Sequence, residues 1–208
     1  MRILQVDSGR EWRGGQNQVR LLCKHLVGRQ EVENRLFTKR GSELSRRARS
    51  ELIPVMESPW SAGLSPTAFL RLGTAIRRYM PAIVHVHDSH SLTLALAVRR
   101  TLRWPFLGGR GLSGKLILDQ EPTDFVVVAH RRVDFHLRSG SNWQKADRIV
   151  AVSEGVKRVL VADGIDARDV VVVPDGIDPY EIGAAALGAP DMRKRLGLPA
   201  DAPLAVNV

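Results

Sequence analysis

The sequence has one cysteine, Cys23, in 208 residues. A lone thiol excludes an intramolecular disulfide and suits a reducing compartment. Aromatic residues make up only 5%. No cysteines or histidines have zinc-finger spacing and no RNA-binding signature occurs, so nucleic-acid recognition would rest on charge alone and is not expected. No window of about 18 apolar residues exists, which excludes a membrane-spanning helix. No repeat or low-complexity tract interrupts the chain. A strand pattern begins at residue 2, so no signal peptide is expected. These absences together predict a cytoplasmic protein, at most peripheral at the inner face of the membrane.

What is present is a 44% hydrophobic, 25% charged chain with a formal net charge of +9. Its length allows one good-sized α/β domain, or one domain and the start of another. The positive charge bears on partners rather than fold, and favours anionic ligands or surfaces.

Apolar strand runs alternate with helical periodicity. Strands are expected at 2–6, 32–38, 52–57, 82–87, 125–130, 148–153 and from 170. Helices are expected at about 15–27, 42–50, 66–79, 90–102 and 154–163. "AIVHVH" and "FVVVAH" are apolar without two-residue alternation, as in strands covered on both faces. This βαβα order predicts a doubly wound, mainly parallel, Rossmann-like sheet. Val19, Leu22, Cys23 and Leu26 form one stripe, so Cys23 reads as core. The 66–79 helix carries Phe69, Leu72, Ile76 and Tyr79 on one face. Arg71, Arg77 and Arg78 lie opposite with Leu70, a pattern that fits a solvated outer helix or one resting on anionic lipid. Residues 104–124 exceed a normal helix-to-strand loop and read as a flap or inserted hairpin. Beyond 179 the chain turns rich in Ala, Gly and Pro, carries a short charged helix, and ends in "PLAVNV", a strand pattern.

Ligands of open α/β sheets lie at the carboxyl ends of strands, where Asp7, His87, His130 and Ser153 fall. Gly14 and Gly15 open the first helix. Without Cβ atoms they let a phosphate reach backbone amides, or they form a plain flexible turn. Their spacing is neither G-x-G-x-x-G nor a P-loop. "VHVHDSHS" holds three histidines and Asp88. It reads as a hydrogen-bonded core histidine (His85), a strand-end histidine (His87) and a capping or surface residue (His90), rather than as a metal site. His130 is followed by Arg131 and Arg132. A strand-end imidazole can donate a hydrogen bond or move a proton, and guanidinium groups hold phosphate oxygens in pairs. Ser153 can cap the helix that Glu154 begins.

Four stretches resemble the N-terminal domain of the family 4 retaining glycosyltransferases, which have the GT-B architecture: "MRILQVDSGREWRGGQNQVRLL", "PAIVHVHDSHS", "VVVAHRRVDF" and "ADRIVAVSEGVKRVLVADGIDARDVVVVPDGID". The resemblance implies a domain over 1–178, a linker over 179–202, and at 203–208 the first strand of a C-terminal nucleotide-sugar-binding domain. That second domain's Arg/Lys pair and E-x7-E motif do not occur. The resemblance implies sugar transfer with retention from a nucleoside diphosphate sugar to a cell-surface glycan or lipid-linked acceptor, with no cofactor and no metal. This chain would supply the acceptor-binding half and be inactive alone. His130 would be catalytic. Gly14, Gly15, His87, Arg131, Arg132, Ser153 and Glu154 would bind substrate. The competing reading is a non-catalytic α/β module for an anionic ligand such as a phosphosugar.

Overall fold

A computed structural model describes residues 1–61, 64–103 and 124–205. The chain divides into two compact units, Met1–Asp175 and Gly176–Val208.

The first unit is built on seven strands: β1 (Arg2–Asp7), β2 (Glu33–Lys39), β3 (Val55–Ser58), β4 (Ile83–Val86), β5 (Val126–Arg131), β6 (Arg148–Ala151) and β7 (Val170–Val172). Their order in the sheet is β3-β2-β1-β4-β5-β6-β7. Every neighbouring pair is parallel. The helices are α1 (Gly14–Leu26), α2 (Glu43–Ser50), α3 (Pro66–Tyr79), α4 (Ser89–Arg103) and α5 (Glu154–Ala162). Strand order reverses between β1 and β4, and such a switch point opens a crevice at the strands' carboxyl ends. The doubly wound, Rossmann-like sheet expected from the alternation is therefore what forms, and it is wholly parallel.

Side-chain alternation assigns the two faces of the sheet different tasks. Leu4, Val6, Val84, Val86, Val127 and Ala129 are fully buried and pack with Leu72 and Ile76 of α3 and Leu92 and Ala95 of α4. A smaller cluster joins Val19 and Cys23 of α1, Leu36 of β2, and Leu44 and Ala48 of α2. Cys23 is core, as its stripe predicts, and burial pushes its thiol up to about 12. The α1 stripe is shifted from the expected one: Leu21 is buried beside Val19 and Cys23, while Leu22 and Leu26 are only half-buried. Arg20 is buried too, and its guanidinium pairs with Glu51 just past α2. On α3, Leu72, Ile76 and Tyr79 are buried as expected, with Ala68 and Ala75 beside them, while Leu70 and Arg71 face solvent.

Local signals explain the element ends. Ser42 and Ser65 cap α2 and α3 by accepting amides of Ser45 and Ala68. Met80 closes α3 in the left-handed region. Gly164, at φ +90, ends the α5 turn where a side chain would be strained. A 3₁₀ turn at Asn142–Lys145 buries Trp143, and it carries no periodicity that sequence reasoning detects.

The second unit contains α6 (Pro179–Leu187) and α7 (Met192–Leu196), capped by Asp178 and Asp191. The charged α7 was expected, whereas α6 falls in a stretch that composition reads as linker. Residues 203–205 of the expected last strand carry no regular structure. Residues 206–208 and 104–123 of the expected flap lie outside the described residues.

Candidate functional site

The site grows from the polar side chains of β1, β4 and β5. Leu4 and Val6 face one layer, so Gln5 and Asp7 face the other, and both are buried. β4 lies beside β1 with Gln5 level with His85. β5 lies beside β4 with Val86 level with Ala129, which brings His87 level with His130. The sheet register thus gathers His85, His87 and His130 on one face. Their ring centroids are 4.3 Å (His85–His87), 5.8 Å (His85–His130) and 6.0 Å (His87–His130) apart.

This imidazole cluster has a defined polar frame. His87 Nε2 lies 2.8 Å from Gln5 Oε1, and Gln5 Nε2 donates to Asn34 Oδ1 at 3.1 Å. Gln5 therefore accepts from His87, and His87 carries its hydrogen on Nε2. An Arg132 guanidinium nitrogen lies 3.2 Å from His130 Nδ1, so Nδ1 accepts and the hydrogen sits on Nε2. Arg132 also donates from Nε to Asp175 at 3.1 Å. Among the described residues, His85 Nε2, His87 Nδ1 and His130 Nε2 are buried without a hydrogen-bond partner. The expected hydrogen bond of core His85 is therefore not made at Nε2. Burial, and then the positive charge of Arg132, lowers His85 to about 4 and His130 to about 3. Burial also drives His87 well below its usual range, with His85 the next cause. All three rings are neutral at pH 7.

The β1 end is tied to the β4 end through one carboxylate. Asp88 accepts from the Ser8 amide at 2.8 Å and the Ser8 hydroxyl at 2.7 Å. It also accepts the amides of His90 and Ser91 at 2.9 Å, which caps α4. His90 thus contributes its backbone to the cap, while its side chain is exposed. Asp7 accepts from the Gly9 amide at 2.9 Å and from Gln16 of α1 at 3.3 Å. Burial, and then the neighbouring Asp88, raise Asp7 to about 7. A Cβ at Gly9 would sit 2.4 Å from Gln16 Nε2 and 2.9 Å from Asp7 Oδ1, so a larger residue would displace these two side chains.

Gly14 and Gly15 form the first turn of α1. Its N-cap, Arg13, makes no side-chain cap, and its first turn holds no acidic residue. Cβ atoms at Gly14 or Gly15 would meet none of the described residues within 4 Å. These first-turn amides carry the helix's positive end, with no side-chain cap among the described residues. Arg13 folds back onto Glu11.

The remaining sequence candidates separate. Arg132 joins the cluster through His130, whereas Arg131 turns to the other face. Arg131 donates to the carbonyls of Val133 at 3.0 Å and Phe135 at 2.5 Å and lies 5.0 Å over the Trp143 ring. It braces the loop after β5 and borders a cavity of about 470 Å³ with Thr93, Arg138 and Asn142. Ser153 caps α5 by accepting the Val156 amide at 3.2 Å, and Glu154 is exposed in that first turn. Sequence reasoning missed Gln5, Gln16 and the bridging role of Asp88. Gln5 sits inside an apolar strand, and that polar interruption is the signal that marks it.

Comparisons with known proteins agree with this architecture. A comparison with curated proteins finds no match. Among solved structures, Anabaena Alr3699/HepE in complex with UDP superposes with a TM-score of 0.63 at 15% identity, over 95% of this chain and 50% of that one. The lipopolysaccharide outer core galactosyltransferase WaaB gives 0.59 at 18% identity, over 86% of this chain and 46% of that one. UDP-GlcNAc 2-epimerase from Neisseria meningitidis gives 0.58 at 14% identity, over 94% and 53%. At such identities the likeness is one of fold, and this chain spans about half the length of each. Residues 12–181 match the family described as Glycosyltransferase Family 4. The match begins at the open mouth of α1 and takes in β4, β5 and the whole histidine cluster, and on it the chain belongs to Glycosyltransferase Family 4.

Proposed function

We propose that this chain is the acceptor-side half of a retaining glycosyltransferase. It moves a sugar from a nucleoside diphosphate sugar to a cell-surface glycan or lipid-linked acceptor. The observation that carries this reading is the uncapped mouth of α1. Its first-turn amides, flanked by glycines with clear space around them, form a receptor for negative charge at the sheet's switch point. The HepE structure holds UDP on the same fold, and WaaB acts on lipopolysaccharide, which supports the donor and acceptor classes.

In the reaction the bond from the anomeric carbon to the diphosphate oxygen breaks and its electron pair leaves with the diphosphate. The acceptor hydroxyl then forms its bond on the face the leaving group vacated, and its proton passes to the departing diphosphate oxygen. The chain's task is to meet the charge that develops on the diphosphate. Gly14 and Gly15 amides do so through the helix dipole. Arg132, held between His130 and Asp175, supplies a fixed cation. His130 stands at this centre as a neutral imidazole, so it orients Arg132 rather than contributing charge. His87 supports the same face through Gln5, while Ser153 and Glu154 border the cleft at the start of α5. Gln16 and Asp7 hold the glycine loop in register. A basic α3 face against anionic membrane, and a site requiring no cofactor, complete the proposal.

The test is calorimetric titration of the 208-residue chain with inorganic pyrophosphate. Binding is expected, with about a tenfold loss in Arg132→Gln, the worth of one charge-assisted hydrogen bond. Pyrophosphate affinity indifferent to Arg132 and to the α1 glycines would reject the reading. Sugar transfer is expected only when the chain is joined to a nucleotide-binding half, and turnover by the 208-residue form would reject the half-site proposal.

A further inference from the structure

Three of the six histidines in the chain meet at one place that no sequence spacing connects. His85 and His87 come from β4 and His130 from β5, and each offers a ring nitrogen within 4.8 Å of the other two. His85 Nε2, His87 Nδ1 and His130 Nε2 are buried and have no hydrogen-bond partner among the described residues. Leaving one buried polar atom unpaired is costly, and three in one cluster of rings are unusual. The opposite nitrogen of His87 is anchored on Gln5, which leaves Nδ1 presenting its lone pair. Metal-bound histidines show this arrangement: one nitrogen free, the other oriented by a hydrogen-bonded neighbour.

We propose that His85, His87 and His130 form a tri-histidine site for a divalent metal ion of the zinc, cobalt or nickel type. Three neutral imidazoles suit these borderline ions, whereas magnesium and calcium prefer oxygen. Metal–nitrogen bonds of about 2.0–2.1 Å set the nitrogens about 3.4 Å apart in a tetrahedron, so small ring rotations close the triangle. His130 must exchange its tautomer: coordination through Nε2 places the hydrogen on Nδ1, and Arg132 then releases that nitrogen while keeping Asp175. Metal and Arg132 therefore compete for His130. The site stands on these ring positions alone and does not depend on the transferase reading.

The experiment uses tag-free 208-residue protein, stripped with a chelator and titrated with Co²⁺, whose visible absorption reports nitrogen coordination. One Co²⁺ per chain, displaced by Zn²⁺ and accompanied by a rise in thermal midpoint, is expected. His85→Gln and His130→Gln should weaken binding by about a hundredfold or more, beyond the loss of an outer-sphere partner. Arg132→Gln, which removes the competitor, should tighten binding by about tenfold, an amount within the strength of one charged hydrogen bond. The combined variant H25N/H90N/H136N, which removes the exposed histidines, should bind as the parent does. If a cluster variant does not fold, the parent and Arg132→Gln titrations still decide. Absence of a 1:1 Co²⁺ spectrum in the parent overturns the proposal. So does a spectrum that survives the cluster variants, that weakens in Arg132→Gln, or that disappears with the exposed histidines.

Discussion

The two faces of β1, β4 and β5 differ as sharply as two proteins would. One face presents Leu4, Val6, Val84, Val86, Val127 and Ala129, all fully buried against α3 and α4. The other presents Gln5, Asp7, His85, His87 and His130, on the same strands and one residue out of phase. The first face holds the fold together through apolar area. The second is assembled from groups that cost free energy to bury and are only partly compensated by Gln5, Arg132 and Asn34. Strand alternation lets one scaffold carry both, since the stable face fixes the geometry of the costly one.

Mutations on the apolar face should produce the largest change. Leu4→Ala removes a fully buried side chain and should lower unfolding free energy by about 2–5 kcal/mol, measured by denaturant titration. An effect near zero would mean that β1 does not anchor the sheet.

On the polar face, acid is the probe. His85 and His130 ionise at about 4 and about 3 in the folded chain, against 6.5 when unfolded. Below pH 6.5 the unfolded chain takes up protons that the folded chain refuses, so stability should fall from pH 6.5 toward pH 4 by a few kcal/mol, an order-of-magnitude figure. Asp7 has the opposite sign. Its folded value is raised from 3.8 to about 7, so its contribution is complete below 3.8 and is lost as pH rises through 7. Asp7→Asn should therefore raise stability at pH 8 and steepen the acid loss between pH 6.5 and 4. A flat profile over that range would remove the neutral-cluster assignment.

The smaller effects compare two helix mouths at the same edge of the sheet. Ser153→Ala strips the α5 cap and should cost about 1 kcal/mol, without altering pyrophosphate affinity. Gly14→Ala should do the reverse. Its Cβ meets nothing within 4 Å, and alanine is the better helix former, so stability should hold or rise by up to about 1 kcal/mol. Pyrophosphate binding should fall, because the methyl group stands where the anion approaches. If both substitutions change stability alike and neither changes binding, the contrast between an open and a closed helix mouth is lost.

Much of the scaffold was legible because its causes are local. The runs at 82–87 and 125–130 lacked alternation, as strands covered on both faces do, and both proved to be inner parallel strands. Ser153 followed by Glu154 announced a helix start that the structure contains. Where causes are remote, the reading failed. "VHVHDSHS" set His90 apart as a capping or surface residue, which it is, but gave no sign of the third ring beside His85 and His87. Parallel pairing brings that ring, His130, from more than forty residues beyond His87. Arg131 and Arg132 looked equivalent, yet consecutive residues leave a strand on opposite sides. One therefore braces Trp143 and the loop, and the other holds His130. α6 was hidden because alanine and glycine read alike as linker.

The sequence by itself determined the alternation of strands and helices, the parallel α/β class, and the glycine-opened start of α1. Those follow from periodicity, capping chemistry and the missing Cβ, which act over a few residues. Only the tertiary structure decided that three imidazoles meet on one face of the sheet, that Arg132 rather than Arg131 reaches them, and that Asp88 ties β1 to α4. Those depend on strand order and register, which are set by how the whole sheet buries its apolar face.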